Sequence, residues 1–462
     1  MNNLLNESRI DPSSPDIQPL LQDLQGNILK KHGRTHECHL FLHFNDVENG
    51  QGLATKWVRE FSKKVTSASD QAAEEPKVST TFRALSLSRA GYNYLGHKDV
   101  SFRDMMFFYG MKKLSNSPAL SSGVDVVSIS DPESASWEDP YQEEIHAHVL
   151  LANHNQEKLN SAIEEVKSAF SAFSKCHTEM GNRHIENGQD IEPFGFVDGI
   201  SQPLFFKDDV PQDPKDKNEW DPSAALSLAL IKDPSKVSGA YGYGSYLVFR
   251  KLEQNVPRFN DYTKNFAKDV FGSSSQEDID LAGALVVGRF KNGTPVTLSN
   301  KPRIDRGKCD LEDNFNYSKD AIGTKCPLQS HIRKSNPRGS GQGDLENERV
   351  KRIVRRVVPY KQKKGPGLEG DNVGMLFFCY QASIILQFAF IQQSWCNNQV
   401  FPITGAGKDP LIGQPAGVGE PQQWATKWGE AEPVKPFNFA DVVSMKGGEY
   451  FFTPSISFLR NI

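Results

Sequence analysis

The chain has few cysteines and none of them close together. Cys38, Cys176, Cys309, Cys326, Cys379 and Cys396 are scattered over 462 residues without a C-x-x-C pair. They are too sparse for a disulfide scaffold and wrongly spaced for a zinc site, so they read as small buried hydrophobes in a reducing compartment. Long hydrophobic runs are missing too. No window reaches ~18 uninterrupted apolar residues, so no membrane partner is expected. The longest apolar stretch, within Val373–Phe390, is broken by Cys379-Tyr-Gln and Gln387. The first twenty residues lack a basic segment followed by an apolar one, so a cytoplasmic location is expected; Asn6, Asn292 and Asn316 begin glycosylation sequons that matter only in an exported chain. Net charge is small: 53 Lys plus Arg against 57 Asp plus Glu leave −4, which argues against a nucleic-acid partner. No Walker, HExxH or EF-hand loop occurs. Gly339-Ser-Gly-Gln-Gly343 has its serine in the wrong slot for a nucleophile elbow. The glycines of Gly239–Gly244 precede a strand, the reverse of a dinucleotide fingerprint. His146-x-His148 has no third ligand placed by spacing, and strand alternation explains it.

What is present is aromatic. Hydrophobic residues make up only 37% of the chain, but 29 Phe, 12 Tyr and 6 Trp supply large buried areas. An aromatic core with long polar loops is expected, in more than one domain. Residues 1–17, polar and rich in Pro and Ser, read as a loose arm. Glu37–Phe44 alternates as a half-buried strand. Leu53, Trp57, Val58, Phe61 and Val65 recur at helical spacing. Strands are predicted over Ser79–Leu87, Glu144–Ala152 and Cys176–Met180, with a helix between the last two that aligns Leu159, Ile163, Val166 and Phe170. This is the order of a split-βαβ, ferredoxin-like unit.

The second half repeats the scheme. Strands are predicted at Ser245–Leu252, Gly374–Gln381 and Glu449–Thr453, and helices at Val256–Phe271, Asp278–Arg289 and Ala382–Trp395. The expected fold is α+β: two ferredoxin-like halves with antiparallel sheets, residues 18–204 and 205–462. Long insertions fall at 98–140, 205–240, 292–350 and 400–445, and such loops often carry function.

Two local patterns carry chemistry. Arg349–Lys364 holds eight cations, and His331, Arg333, Lys334 and Arg338 lie just upstream. This local field reads as a solvated surface or as the seat of a buried anion. Arg355 sits between Ile353-Val354 and Val357-Val358, where an arginine leaves solvent only with a partner. The second pattern is Phe194-Gly-Phe-Val-Asp-Gly-Ile-Ser-Gln-Pro203, in which two glycines bracket Asp198. It reads as an Asp-Gly turn, or as a carboxylate presented to a dry pocket where it can carry protons. Asp198, His331 and Arg355 then form a candidate acid/base, ligand and cationic stabiliser. The set suits haem peroxide chemistry and also a hydrolase, and spacing does not choose between them.

These segments resemble the dye-decolorising peroxidases. The resemblance rests on the Gly195–Gly199 box with Ile-Ser-Gln-Pro after it, His331-Ile-Arg-Lys-Ser-Asn-Pro-Arg338 and Arg355-Arg-x-x-Pro-Tyr360. Leu24–Lys30, Gly244–Gln254, Gly374–Gln381, Phe390–Asn398 and Gly447–Ser455 add to it in the same order. The long chain is similar to the larger, fungal and cyanobacterial-type branch. The resemblance implies a duplicated ferredoxin-like fold of the dimeric α+β barrel type, with one haem b per chain in the C-terminal half. It implies His331 as the iron ligand and Asp198 with Arg355 as the pair that handles peroxide. It points to Arg333 and Arg338 as partners of the haem propionates, to some of Leu376, Phe377 and Phe378 as residues over the haem, with Leu376 and Phe378 preferred, and to Tyr360 as a surface radical site. The implied enzyme is an oxidoreductase that reduces hydrogen peroxide and oxidises bulky aromatic reductants, dyes and phenols, by one-electron steps; the alternative is a haem-handling protein without turnover. The chain is expected to be a monomer or dimer. Two departures from the family stand out. The stretch Phe390–Trp395 offers Gln392 and Gln393 where an acid would hydrogen-bond His331, and Val357 replaces a usual glycine, which predicts a reshaped loop.

Overall fold

The computed structural model describes residues 4–73, 80–116, 128–210, 219–303, 313–341, 343–363, 371–415 and 421–462. Ser79, Cys309 and Lys364 lie outside the described residues.

Each half contributes four main strands in the same order, and the second half adds a two-residue strand. In the first half these are β1 (His36–Phe44), β2 (Phe82–Leu87), β3 (Ala147–Asn153) and β4 (Ser174–Asn182). They pair antiparallel as β4-β1-β3-β2. In the second half they are β5 (Tyr243–Gln254), a two-residue strand β6 (Val354–Arg355), β7 (Val358–Lys363), β8 (Asp371–Gln381) and β9 (Val443–Thr453). There the order is β9-β5-β8-β7, with β6 paired to the end of β8. The halves join where Phe452 of β9 pairs with Leu87 of β2. The far edges also meet: a Cβ placed on Gly181 of β4 would stand 2.3 Å from a Val358 methyl of β7. The antiparallel sheet is thus nearly closed, an α+β barrel, and closure removes most of the exposed edge.

Closure explains a departure from the sequence reading. β1 is expected from its alternation to be half-buried, but only its first residue is not buried, and β3 is buried throughout. One side of β1 and β3 faces the barrel interior, and helices lie against the other. Of these, α1 (Gly50–Ser62) buries Trp57 and Phe61, and α2 (Gln156–Phe170) buries Leu159, Val166 and Phe170. The interior is part aromatic and part polar. Phe41 packs on Phe249 with ring centroids 4.6 Å apart. Beside them His39 Nδ1 lies 2.9 Å from His148 Nε2, and Glu37 pairs with His32 at 3.1 Å.

Three further expectations are corrected. The arm is not loose from Leu4 onward: Ile10 and Ile17 are buried, and the Ile10 N–H donates to the Phe205 carbonyl at 2.8 Å. Apolar anchors outweigh the polar composition there. The segment read as a basic run contains β7, the strand missing from the predicted second half, because alternating cations there hide the apolar set Val358 and Tyr360. The helix expected over Ala382–Trp395 is present as two π-helical segments, Ile384–Ala389 and Ile391–Cys396. The Val256–Phe266 helix (α3) also ends in a π turn, before α4 (Gln276–Val287).

Candidate active site

α4 stops at Gly288, whose φ of 104° suits glycine. A Cβ there would stand 3.0 Å from Ile332 Cβ, so the close approach also requires glycine. The next element packed here is a short helix, α5 (His331–Ser335). Its His331 lines a cavity of about 310 Å³ against the C-terminal strands. His331 Nδ1 lies 2.7 Å from Asp409 Oδ2. The Asp409 side chain is fully buried, and its Oδ1 accepts the N–H groups of Leu411 and Ile412 at 2.8 and 3.0 Å. Burial alone would raise the Asp409 pKa; the His331 charge and these hydrogen bonds outweigh it and hold the carboxyl below its usual value. With Nδ1 engaged by a carboxylate, the ring's Nε2 lone pair is left for a ligand.

Asp198 reaches the same cavity on a braced loop. Its N–H donates to the Asp190 carbonyl at 2.9 Å, and the Val197 N–H to Lys291 at 3.0 Å. Gly195 and Gly199 on either side have φ of 93° and 79°. Arg355 arrives on β6, opposite Cys379 of β8. Its Nη2 donates to the Ser201 carbonyl at 3.1 Å, and its backbone N–H to Gln202 Oε1 at 3.1 Å. Nη1 stands 3.5 Å from Asp198 Oδ1, a loose contact that leaves both groups able to turn toward a small guest. The structure therefore brings His331, Asp198 and Arg355 together in one cavity. Its other walls include Met375 and Phe377 of β8, Phe388 and Ile391. An imidazole with its tautomer fixed by a carboxylate, facing an apolar hollow that also holds an arginine and an acid, fits a haem.

Other candidates are placed elsewhere. Leu376 and Phe378 are buried in the barrel core and do not line the cavity; Phe378 packs edge-on to His39 at 5.0 Å. The strand period of two puts Met375 and Phe377 on the cavity side instead. Arg333 is closed in by the Asp320 carboxylate at 3.1 Å and the Cys326 carbonyl at 2.6 Å. Arg338 is likewise held by Asp313, the Phe315 carbonyl and Ser201. Neither lines the cavity; each guanidinium is taken up by partners that stitch the 313–340 loop. Tyr360 is not on the surface. It is 3% exposed, its hydroxyl has no partner among the described residues, and the Lys251 ammonium lies over its ring at 5.0 Å. Burial pushes its pKa up. A bulky molecule cannot touch it. Gln392 bonds Asn397 and the Ile412 carbonyl, not His331. Val357 lines the cavity without a positive φ, so the loop there is built differently from one that needs glycine.

Glu138, His177 and Glu179 have the donors of a metal site, but the Lys251 ammonium already lies 2.8 Å from both carboxylates. Two residues escaped the sequence reading. Asp409 left one signal: an Asp-Pro followed two residues on by the N–H that its side chain accepts, an Asx turn. Glu192, which also lines the cavity, left none beyond its place before the Phe194–Pro203 segment.

Comparison with known proteins agrees with this geometry. Residues 23–183 match the family described as DyP dimeric alpha+beta barrel domain, and residues 206–400 match Dyp-type peroxidase, C-terminal. The chain is 36% identical over 470 residues to the multifunctional dye peroxidase DyP2 of Amycolatopsis sp., covering 96% of each protein. It is 29% identical to the dye-decolorizing peroxidase AauDyP1 of Auricularia auricula-judae, covering 94% of this chain and 85% of that one. Among solved structures, the DyP-type peroxidase AnaPX of Anabaena sp. superposes with a TM-score of 0.88 at 40% identity, over 100% of this chain and 99% of that one. The chain belongs to the dye-decolorising peroxidase family and is a haem peroxidase, an oxidoreductase.

Proposed function

We propose that this peroxidase holds one haem b through His331, reduces hydrogen peroxide with Asp198 and Arg355, and takes electrons from dyes and phenols. The observation that carries the reading is the convergence of His331, Asp198 and Arg355 on one cavity from segments far apart in the chain. When bound, the haem supplies the redox chemistry, taking oxidising equivalents from peroxide and returning them one electron at a time. Asp409 fixes the His331 ring and strengthens its donor nitrogen. Asp198 accepts a proton from one peroxide oxygen and returns it to the other, directly or through a water. Arg355 places its guanidinium where negative charge builds as the O–O bond breaks. Val357, Met375 and Phe377 keep water scarce around these groups. No helix among the described residues is long and apolar enough to cross a membrane.

The test is a set of three variants with haem content and the peroxide-induced change of the Soret band as readouts. His331→Ala loses most haem. Asp198→Asn and Arg355→Leu keep haem and slow the peroxide step by about 10²–10⁴-fold. Full haem loading in His331→Ala, or wild-type rates in both of the other variants, overturns the assignment.

A further inference from the structure

We infer that Glu192 is a positioning residue for Asp198: its carboxylate pins the turn that sets where the Asp198 side chain stands in the cavity. This rests on the assignment of Asp198 as the proton-handling group. Among the described residues the Asp198 side chain has only the loose Arg355 contact, so its place depends on the backbone that carries it. Its position is inherited from the hairpin before it, and Glu192 braces that hairpin from both sides. Glu192 Oε2 accepts the Phe194 N–H at 2.9 Å, and Oε1 accepts the Phe196 N–H at 2.9 Å. The Glu192 N–H donates to the Phe196 carbonyl at 3.0 Å, and the Gly195 N–H to the Glu192 carbonyl at 2.8 Å. A third donor ties this knot to the sheet: Gln254 Nε2, at the end of β5, reaches Glu192 Oε2 at 2.7 Å.

A carboxylate suits this place because it accepts on both oxygens, whereas an amide of the same shape accepts on one. Burial pushes the Glu192 pKa up, and the hydrogen bonds from Phe194, Gln254 and Phe196 work against that. Gln254 and Glu192 both line the cavity, so the brace sits beside the chemistry without needing to touch peroxide. Gln254 Oε1 has no partner among the described residues. It is thus available to accept from an amide at position 192, which makes Glu192→Gln the mild variant and Glu192→Leu the severe one.

The experiment measures Glu192→Gln and Glu192→Leu in the wild-type and Asp198→Asn holoenzymes. The readouts are haem content, kcat/KM for peroxide, kcat/KM for a small phenol, and the affinity of the ferric haem for cyanide. Glu192→Leu is expected to keep haem and phenol kcat/KM but lose about 10²-fold in peroxide kcat/KM. Glu192→Gln loses about tenfold, because one of three accepted hydrogen bonds goes. Cyanide affinity falls in the same order. In the Asp198→Asn background Glu192→Gln costs less than about twofold, since it acts through the side chain already removed. Unchanged peroxide kcat/KM in haem-loaded Glu192→Gln overturns the inference. So do full additivity with Asp198→Asn, or haem and both kinetic limbs falling in parallel, which marks a purely structural role. If Glu192→Leu does not fold, Glu192→Gln decides alone. Wild-type peroxide kinetics in Asp198→Asn itself brings down the assignment of Asp198, and this inference with it.

Discussion

Asp409 and His331 are separated by 78 positions in the chain and by 2.7 Å in the fold. The carboxylate is wholly enclosed, so the charge it carries is spent on the imidazole and two backbone N–H groups. Asp409→Asn keeps the shape and removes the anion. It should weaken haem binding or turnover by about 10–100-fold and raise the ferric/ferrous potential, because a less basic imidazole favours the reduced iron. Haem titration and potentiometry check this; an unchanged potential would show that the pair only orients the ring.

Phe377 and Phe378 are chain neighbours with different duties. Phe378→Ala empties part of the barrel core and should cost about 3–5 kcal/mol, read as a lower Tm, with the Soret band little changed. Phe377→Ala opens the cavity wall and should shift the Soret band with a smaller loss of Tm. Reversed effects would mean that β8 faces the other way.

Tyr360→Phe removes a buried hydroxyl that has no partner among the described residues. Stability should stay level or rise by about 1 kcal/mol, since no hydrogen bond is lost. Dye turnover should match wild type. Slower dye oxidation with intact small-phenol oxidation would return Tyr360 to the electron path.

Acid should loosen the barrel before it reaches the carboxylates. Burial and the nearby His43 push the His146 pKa down to about 4, and its Nδ1 accepts the Phe44 N–H at 3.1 Å. His148 is pushed down by burial and by His39. A histidine with a lowered folded pKa binds fewer protons than the unfolded chain, so stability rises with pH. The His146 contribution is therefore full above about pH 6.5 and falls toward pH 4, by up to ~3 kcal/mol. Glu37, held below its usual value by His32 and His39 against the effect of burial, adds a further loss below about pH 4.5. From pH 7 to 4 the Tm of the protein should fall relative to that of His146→Asn. A difference in Tm that stays level across that range would refute the assignment.

The order of strands and helices was legible because periodicity is local. Alternation marks a strand, and steps of three and four mark a helix, whatever lies across from them. The Gly195–Gly199 box, His331 and Arg355 were legible for a similar reason: unusual residues stood in apolar frames where polar groups need a partner. Other decisions belonged to the tertiary structure. Alternation divides β8 into two faces, both apolar, and only the place of the cavity says that Phe377, not Phe378, meets it. Arg333 and Arg338 follow His331 by two and seven residues, yet Asp320 and Asp313 reach them first. Tyr360 follows Arg355 by five residues, yet barrel closure buries it on β7. Asp409 finds His331 across a long insertion, because pairing between groups far apart in the chain is settled by proximity in space, which no local pattern records.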